Sequence, residues 1–215
     1  MKSRVLLTVI AAGVASTASA DVISETNSAI IEWGTQGTGL VTDGPALLFP
    51  SDISVAGASG PISDVNITLN DGAHTWADDM EIVLVSPAGT AVMVMADAGG
   101  NDNIAGSITF DDQAAGPIGD TGQGANDDLD FSGSFQTSVY GTTFATTAPA
   151  TSGTLLSLFN GEDANGTWSL YVYDDAGGDT GAFSGGWTLD IVTVPAPASA
   201  ALLGLGGLAA ARRRR

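Results

Sequence analysis

Apolar and polar residues alternate with period two along most of the middle of the chain. Val65, Ile67 and Leu69 are interleaved with Asp64, Asn66, Thr68 and Asn70, and Met80, Ile82 and Leu84 with Glu81, Val83 and Val85. Val92 to Met95 follows the turn signal Pro87-Ala88-Gly89, Ile108 and Phe110 alternate with Thr109 and Asp111, and Leu129, Phe131 and Phe135 share one parity. Trp168, Leu170 and Val172 oppose Ser169, Tyr171 and Tyr173, while Trp187, Leu189 and Ile191 oppose Thr188 and Asp190. Successive side chains of a strand point to opposite sheet faces, so each apolar set marks a face turned toward a shared core. Short alternating runs between turn clusters predict an all-β sandwich or barrel. Residues 21–45 pattern weakly, with Ala29 to Trp33 a candidate edge strand. Trp76, Trp168 and Trp187 are expected in the core. Tyr171 and Tyr173, on the opposite parity, are expected beneath the second sheet or a loop, with an exposed sugar-stacking stripe as the alternative.

The connecting stretches are rich in Gly, Asp and Asn: Asn70-Asp71-Gly72, Asp97 to Asn103, Gly116 to Asp128, Gly161 to Gly166 and Asp174 to Gly181. These residue types tolerate positive φ and cap their own turns, so the stretches read as loops. Gly116 to Asp128 has the character of an insertion, and Thr142 to Ser152 of a long surface connection. Residues 21–194 suit one domain with its own core. The chain has no cysteine, which excludes disulfides, thiol chemistry and cysteine-ligated metals.

Charge divides the chain into parts. All 24 acidic residues lie between Asp21 and Pro197, whereas the 6 basic ones are Lys2, Arg4 and Arg212 to Arg215. An anionic body repels nucleic acid and anionic lipid, so membrane contact is expected only through the terminal segments. Lys2 and Arg4 precede the apolar run Val5 to Val14 and the small-residue stretch Ala15 to Ala20. Ala18-Ser19-Ala20 fits the A-x-A cleavage pattern, so residues 1–20 read as an export signal and the mature chain starts near Asp21. At the other end Val194-Pro195-Ala196-Pro197 leads into the apolar Ala198 to Ala211 and then four arginines, which the positive-inside rule keeps cytoplasmic. Residues 194–215 resemble the PEP-CTERM sorting tail of bacterial surface proteins, with Ala196 where that motif has Glu. The resemblance implies a membrane peptidase of the exosortase type as partner. It also implies an exported product at the cell surface, outer membrane or extracellular matrix.

Three ordered segments carry a second likeness. The first is Ile62 to Leu69 followed by His74-Thr75-Trp76-Ala77-Asp78-Asp79-Met80-Glu81-Ile82-Val83-Leu84-Val85-Ser86-Pro87-Ala88-Gly89-Thr90. The second is Thr109-Phe110-Asp111-Asp112. The third is Leu155 to Gly161, Asn165-Gly166-Thr167-Trp168-Ser169-Leu170, Asp174, Gly178 to Gly181 and Trp187-Thr188-Leu189. Together they resemble the P domain (P/Homo B domain) that follows the catalytic domain of subtilisin-like proprotein convertases, over roughly residues 50–193. The resemblance implies a jelly-roll β-sandwich of about eight strands, a module that packs on a protease and stabilises it. Residues 21–49 are then an N-terminal extension. No room remains for a subtilisin-type domain, so no protease activity is carried over.

The candidate chemistry is weighed residue by residue. His74 is the only histidine; with Asp78 or Asp79 and a serine it could be drawn as a triad, but no G-x-S-x-G elbow accompanies it. The better reading is a hydrogen-bonded structural histidine. Paired carboxylates for glycoside hydrolysis discriminate little in so acidic a chain. Calcium is the stronger idea, because Ca²⁺ takes oxygen ligands from carboxylates and carbonyls. Asp174-Asp175-Ala176-Gly177-Gly178-Asp179, Asp78-Asp79, Asp111-Asp112 and Asp97 with Asn101 and Asp102 are the clusters, none with EF-hand spacing. Asp79, Asp111, Asp174 and Asp179 are the candidate Ca²⁺ ligands; the competing role for each is to cap a turn. The expected function is a non-catalytic, surface-sorted module with a structural or binding role. The alternatives are an accessory to a separate subtilisin-like protease and a carbohydrate-binding module for surface polysaccharide.

Overall fold

The computed structural model describes residues 20–33, 43–120, 132–141 and 148–194. The sorting tail from Pro195 on, residues 1–19 of the export signal, Leu129 and Phe131, and parts of the two long connections lie outside the described residues. Ala20–Pro195 forms one compact unit, and its described part is all-β.

Two sheets make a sandwich. The first contains β1 (Val22–Asn27), β2 (Ile31–Trp33), β5 (Ile62–His74), β8 (Ile104–Phe110), β9 (Gly133–Phe135), β12 (Gly181–Phe183) and β13 (Trp187–Thr193). The second contains β3 (Gly44–Pro45), β4 (Ser51–Val55), β6 (Met80–Val85), β7 (Ala91–Ala96), β10 (Ser138–Val139) and β11 (Gly166–Asp174). β5 organises the first sheet, pairing with β13 and then β12 on one side and with β8 on the other. In the second sheet β11 pairs with β6 along one edge and with β4 and β3 along the other. The pairs β8–β9 and β7–β10 are parallel.

The alternation seen in the sequence is the burial pattern. Val65, Ile67 and Leu69 of β5, Trp168, Leu170 and Val172 of β11, and Trp187, Leu189 and Ile191 of β13 all face one core. Each such large side chain contributes about 1.5–3 kcal/mol on burial. The two core tryptophans keep their N–H groups satisfied: Trp168 Nε1 donates to Ala164 O at 2.9 Å and Trp187 Nε1 to Ser51 Oγ at 3.0 Å. β2 matches the expected edge strand, since it pairs only with β12. β1 was not legible, because its residues are mostly exposed and its apolar positions carry no burial signal.

Three expectations are corrected. Asn70-Asp71-Gly72 is not a turn but a bulge inside the 13-residue β5. Asp71 sits at φ 52°, and the register against β8 slips between Leu69 and Gly72. The extra residue changes which parity faces inward: Leu69 is buried before it, Gly72 and His74 after it. A bulge re-aims side chains in this way. Second, Trp76 is 40% exposed rather than core, because it stands beyond the end of β5, just before a 3-10 turn, Ala77–Asp79. Third, Tyr171 and Tyr173 occupy the outer face of the second sheet and are half-buried. There Val83, Ala91, Met93 and Ala96 form a smaller apolar cluster with Tyr171 packed against it. Phe49 meets the Tyr171 ring edge-on, with centroids 5.0 Å apart.

Strand direction gives the sandwich two poles. At one, Thr193 N donates to Asp21 O at 3.0 Å, Val194 N to Pro61 O at 2.9 Å and Ile62 N to Glu162 O at 2.9 Å. Both ends of the described domain therefore meet there. At the other, the loops after β5, β7 and β11 converge: Ala77 N donates to Asp102 O at 2.8 Å, and Asp175 N to Asp79 O at 3.0 Å. The length of β5 separates the poles by about 40 Å, at roughly 3.3 Å per residue.

Candidate functional site at the acidic pole

The site is built on the inward turn of His74. Its Nε2 lies 3.1 Å from Asp174 Oδ2, and its Nδ1 is 2.7 Å from the carbonyl oxygen of Trp76. Asp174 ends β11 and is fully buried, and His74 is 3% exposed. The backbone N of Trp76 also lies 3.2 Å from Nδ1. Trp33 packs its ring perpendicular to the imidazole at 5.9 Å. Gly181 closes the other side: a Cβ there would fall 2.3 Å from His74 Cδ2. The imidazole is thus walled in, with both ring nitrogens engaged. No serine hydroxyl is hydrogen-bonded to it among the described residues, and its carboxylate partner is Asp174 rather than Asp78 or Asp79. The triad geometry is absent from the described residues, where His74 contacts Asp174, Trp76 and Trp33.

Around this pair stand further carboxylates. Asp174 Oδ1 accepts from Ala176 N at 3.2 Å. Asp179 Oδ1 accepts from Thr75 Oγ1 at 2.9 Å. Asp79 is 7% exposed, and its carboxylate has no hydrogen bond among the described residues. Burial first, then the charges of Asp174, Asp179 and Asp175, push its pKa up to about 7, against a smaller lowering by His74. Burial, then Asp97 and Asp120, raises Asp78; burial, then Asp97, Asp174 and Asp78, raises Asp175. The Tyr173 hydroxyl is also raised, by burial and then by Asp43 and Glu81. Burial is the leading cause in all four, and the neighbouring carboxylates add to it, because both disfavour the charged form.

Of the four candidate ligands, Asp79, Asp174 and Asp179 are brought to this pole. Asp111 is not. It follows β8, whose Phe110 lies opposite Ile67 rather than His74, and its Oδ1 accepts from Gln113 N at 2.7 Å, capping its own turn. Its neighbour Asp112 accepts from Leu156 N at 3.1 Å and Ser157 N at 2.8 Å. Asp175, Asp78 and Asp97 join the acidic pole in place of Asp111. They were visible as members of Asp-rich stretches, but nothing in those stretches said which would meet. As they stand, no three His, Asp or Glu side chains among the described residues are gathered closely enough to hold a metal ion.

The opposite pole carries a cavity of ≈ 290 Å³ lined by Ala58, Pro61, Glu162, Asp163 and Asn165, among others. Its polar groups are largely engaged. Asn165 bonds Ala58 N and O, at 2.9 and 3.0 Å, and Asp163 Oδ1 accepts from Asn165 N at 3.0 Å and Nδ2 at 2.6 Å. Glu162 Oε1 accepts from Thr90 Oγ1.

No protein-family model matches the chain, and no curated protein matches it. Among solved structures it is similar to the serine protease of Aeromonas sobria in complex with its chaperone, at 18% identity over 83% of this chain and 27% of that one, with a TM-score of 0.39. The same organism's serine protease in a separate structure gives 16% identity, 82% and 26% coverage and a TM-score of 0.35. The chain thus spans about a quarter of the length of the proteins it matches. Among the described residues, no helix is long and apolar enough to cross a membrane.

Proposed function

We propose that the chain is an exported, surface-sorted P-domain module with a non-catalytic structural or binding role, stabilised by calcium. One observation carries the reading: the two ends of the described domain meet at one pole, while Asp79, Asp174, Asp175 and Asp179 lie about 40 Å away at the other. A chain attached at the cell surface through its processed C-terminal end would leave the acidic pole free. The signal-like residues 1–20, the sorting-like residues 194–215 and the absence of Lys and Arg between them support the same reading. So does the setting of His74, whose ring nitrogens are both occupied by its own fold.

Mass spectrometry of the protein recovered from cells tests it. The expected species starts near Asp21 and lacks the arginine cluster, in the surface or matrix fraction. Recovery of one soluble polypeptide from Met1 to Arg215 in the lysate would sink it.

A second reading, an accessory module of a separate subtilisin-like protease, rests on the resemblance of residues 50–193 to P domains. Co-purification with such a protease lacking its own P domain would favour it. The carbohydrate-binding reading gains no support from Tyr171, whose ring is met edge-on by Phe49 rather than offered flat.

A further inference from the structure

β1 is a strand with little apolar burial. Val22 is 78% exposed and most of the strand faces solvent, so its hold on the sheet rests on the ladder to β13 and on the anchors at its two ends. The far anchor is Asn27, whose Nδ2 donates to Ser51 Oγ at 3.2 Å and to Asp52 O at 2.9 Å. The near anchor is Asp21. Its N donates to Thr193 Oγ1 at 3.3 Å, its O accepts from Thr193 N at 3.0 Å, and its Oδ2 accepts from Ser59 N at 2.9 Å and from Ser59 Oγ. Thr193 is fully buried, and its Oγ1 donates onward to Ser59 O at 2.8 Å. Asp21, Thr193 and Ser59 thus close a ring of hydrogen bonds. The ring stands on the residue that the Ala18-Ser19-Ala20 pattern would leave first in the chain, and the compact unit begins at the exposed Ala20 just before it.

We infer that the α-ammonium group freed at Asp21 when residues 1–20 are removed is a structural cation of the mature domain: it charges an existing hydrogen bond to Thr193 Oγ1 and clasps β1 to β13. This rests on the export reading proposed above and gives the cleavage a consequence for the fold. Before cleavage Asp21 N is a neutral amide donor; afterwards the same atom is an ammonium at neutral pH. A charged donor makes a hydrogen bond roughly twice as strong as a neutral one. The acceptor is already in place, because Thr193 Oγ1 gives its proton to Ser59 O and keeps its lone pairs for Asp21. The charge is also scarce. No Lys or Arg lies between Asp21 and Pro197, so this ammonium is the only amine of a strongly anionic body, whose field favours a positive charge at its end. The carboxylate of Asp21 itself, fixed by Ser59, adds an opposite charge within the same residue.

The test uses the scarcity of amines. Protein recovered from the surface or matrix fraction is modified while folded, one portion acetylated and another reductively dimethylated, and each portion is weighed by mass spectrometry and melted. Acetylation removes the charge, whereas dimethylation keeps it and adds bulk. A chain starting at Asp21 takes a single acetyl group, since it contains no lysine. Its Tm should then fall by roughly 2–4 °C, while the dimethylated form should stay within about 1 °C of the unmodified protein. Thr193→Val removes the acceptor and keeps the branched shape, and should erase the effect of acetylation. If that variant fails to fold, the acetylated and dimethylated forms decide between them. Equal melting of acetylated and unmodified protein, an equal loss in both modified forms, or an undiminished acetylation effect in folded Thr193→Val overturns the clasp and leaves the export reading standing. A chain that instead takes an acetyl group at each of Met1 and Lys2 overturns the export reading, and the clasp with it.

Discussion

The two poles of the sandwich are built from the same residue type and treat it in opposite ways. At the pole where the ends of the described domain meet, Asp21 accepts from the backbone and hydroxyl of Ser59, and Asp163 from the backbone and side chain of Asn165. Those hydrogen bonds hold both carboxyls below the usual carboxylate pKa. At the far pole Asp79, Asp78 and Asp175 are raised, burial first and neighbouring carboxylates next. An aspartate that caps its own turn makes its own donors; an aspartate turned toward other aspartates needs something from outside. Composition alone is blind to that difference, and it is what singles out one pole as a place for chemistry.

The comparison can be broken or sharpened by substitution and by pH. The largest effect is expected from Asp174→Ala, which strips the buried His74 of its partner. Breaking a buried pair should cost about 3 kcal/mol, or roughly 6–12 °C in Tm for a domain of this size. Calorimetry in chelator would reveal it. A loss below one or two degrees would mean that the pair is not what orders the acidic pole.

Asp79→Asn comes next and has the opposite sign. The folded-state pKa of Asp79, about 7, lies above the ordinary aspartate value of 3.8. The folded protein thus holds that proton more tightly than the unfolded chain does. Its contribution is full below pH 3.8, and is lost as pH rises through 7. In chelator at pH 8 the neutral amide should therefore raise stability, by about 2 kcal/mol after solvent screening, and at pH 4 it should change little. A variant equally stabilised at both pH values would remove the electrostatic explanation. Asp78 and Asp175 shift in the same direction and add to the same fall in wild-type stability with rising pH.

Asp163→Ala tests the other pole, and a smaller effect is expected because the group is exposed. Its folded-state pKa is lowered, so its contribution exists above the unfolded carboxylate range and disappears as the solution is acidified. The variant should lose a little stability at pH 7 and none near pH 3. The smallest effect belongs to Asp111→Asn. The amide keeps the oxygen that accepts from Gln113 N, so chelator-state stability should stay within about 0.5 kcal/mol of wild type.

Most of the strand framework was readable, since β5, β11 and β13 announce their inward faces by alternation and the core obeys it, while β6 is buried on both parities. β1 escaped notice because an edge strand with both faces near solvent needs no apolar period. Asn70-Asp71-Gly72 has the composition of a turn, and only the continuing ladder to β8 and β12 makes it a bulge. Of the four chosen aspartates, three lie at one pole without being gathered closely enough to hold a metal, and the fourth caps a turn.

Alternation, charge partition and the lack of cysteine are local properties, and the sequence alone was enough to establish a cysteine-free, anionic, all-β domain between two basic ends. Pairing is not local. His74 and Asp174 are 100 residues apart, and a single extra residue at Asp71 decides whether the imidazole faces the core or the solvent. Strand register and loop convergence brought Asp79 among other carboxylates and Asp111 to a separate turn. Both are global outcomes of packing, which no window of the chain contains.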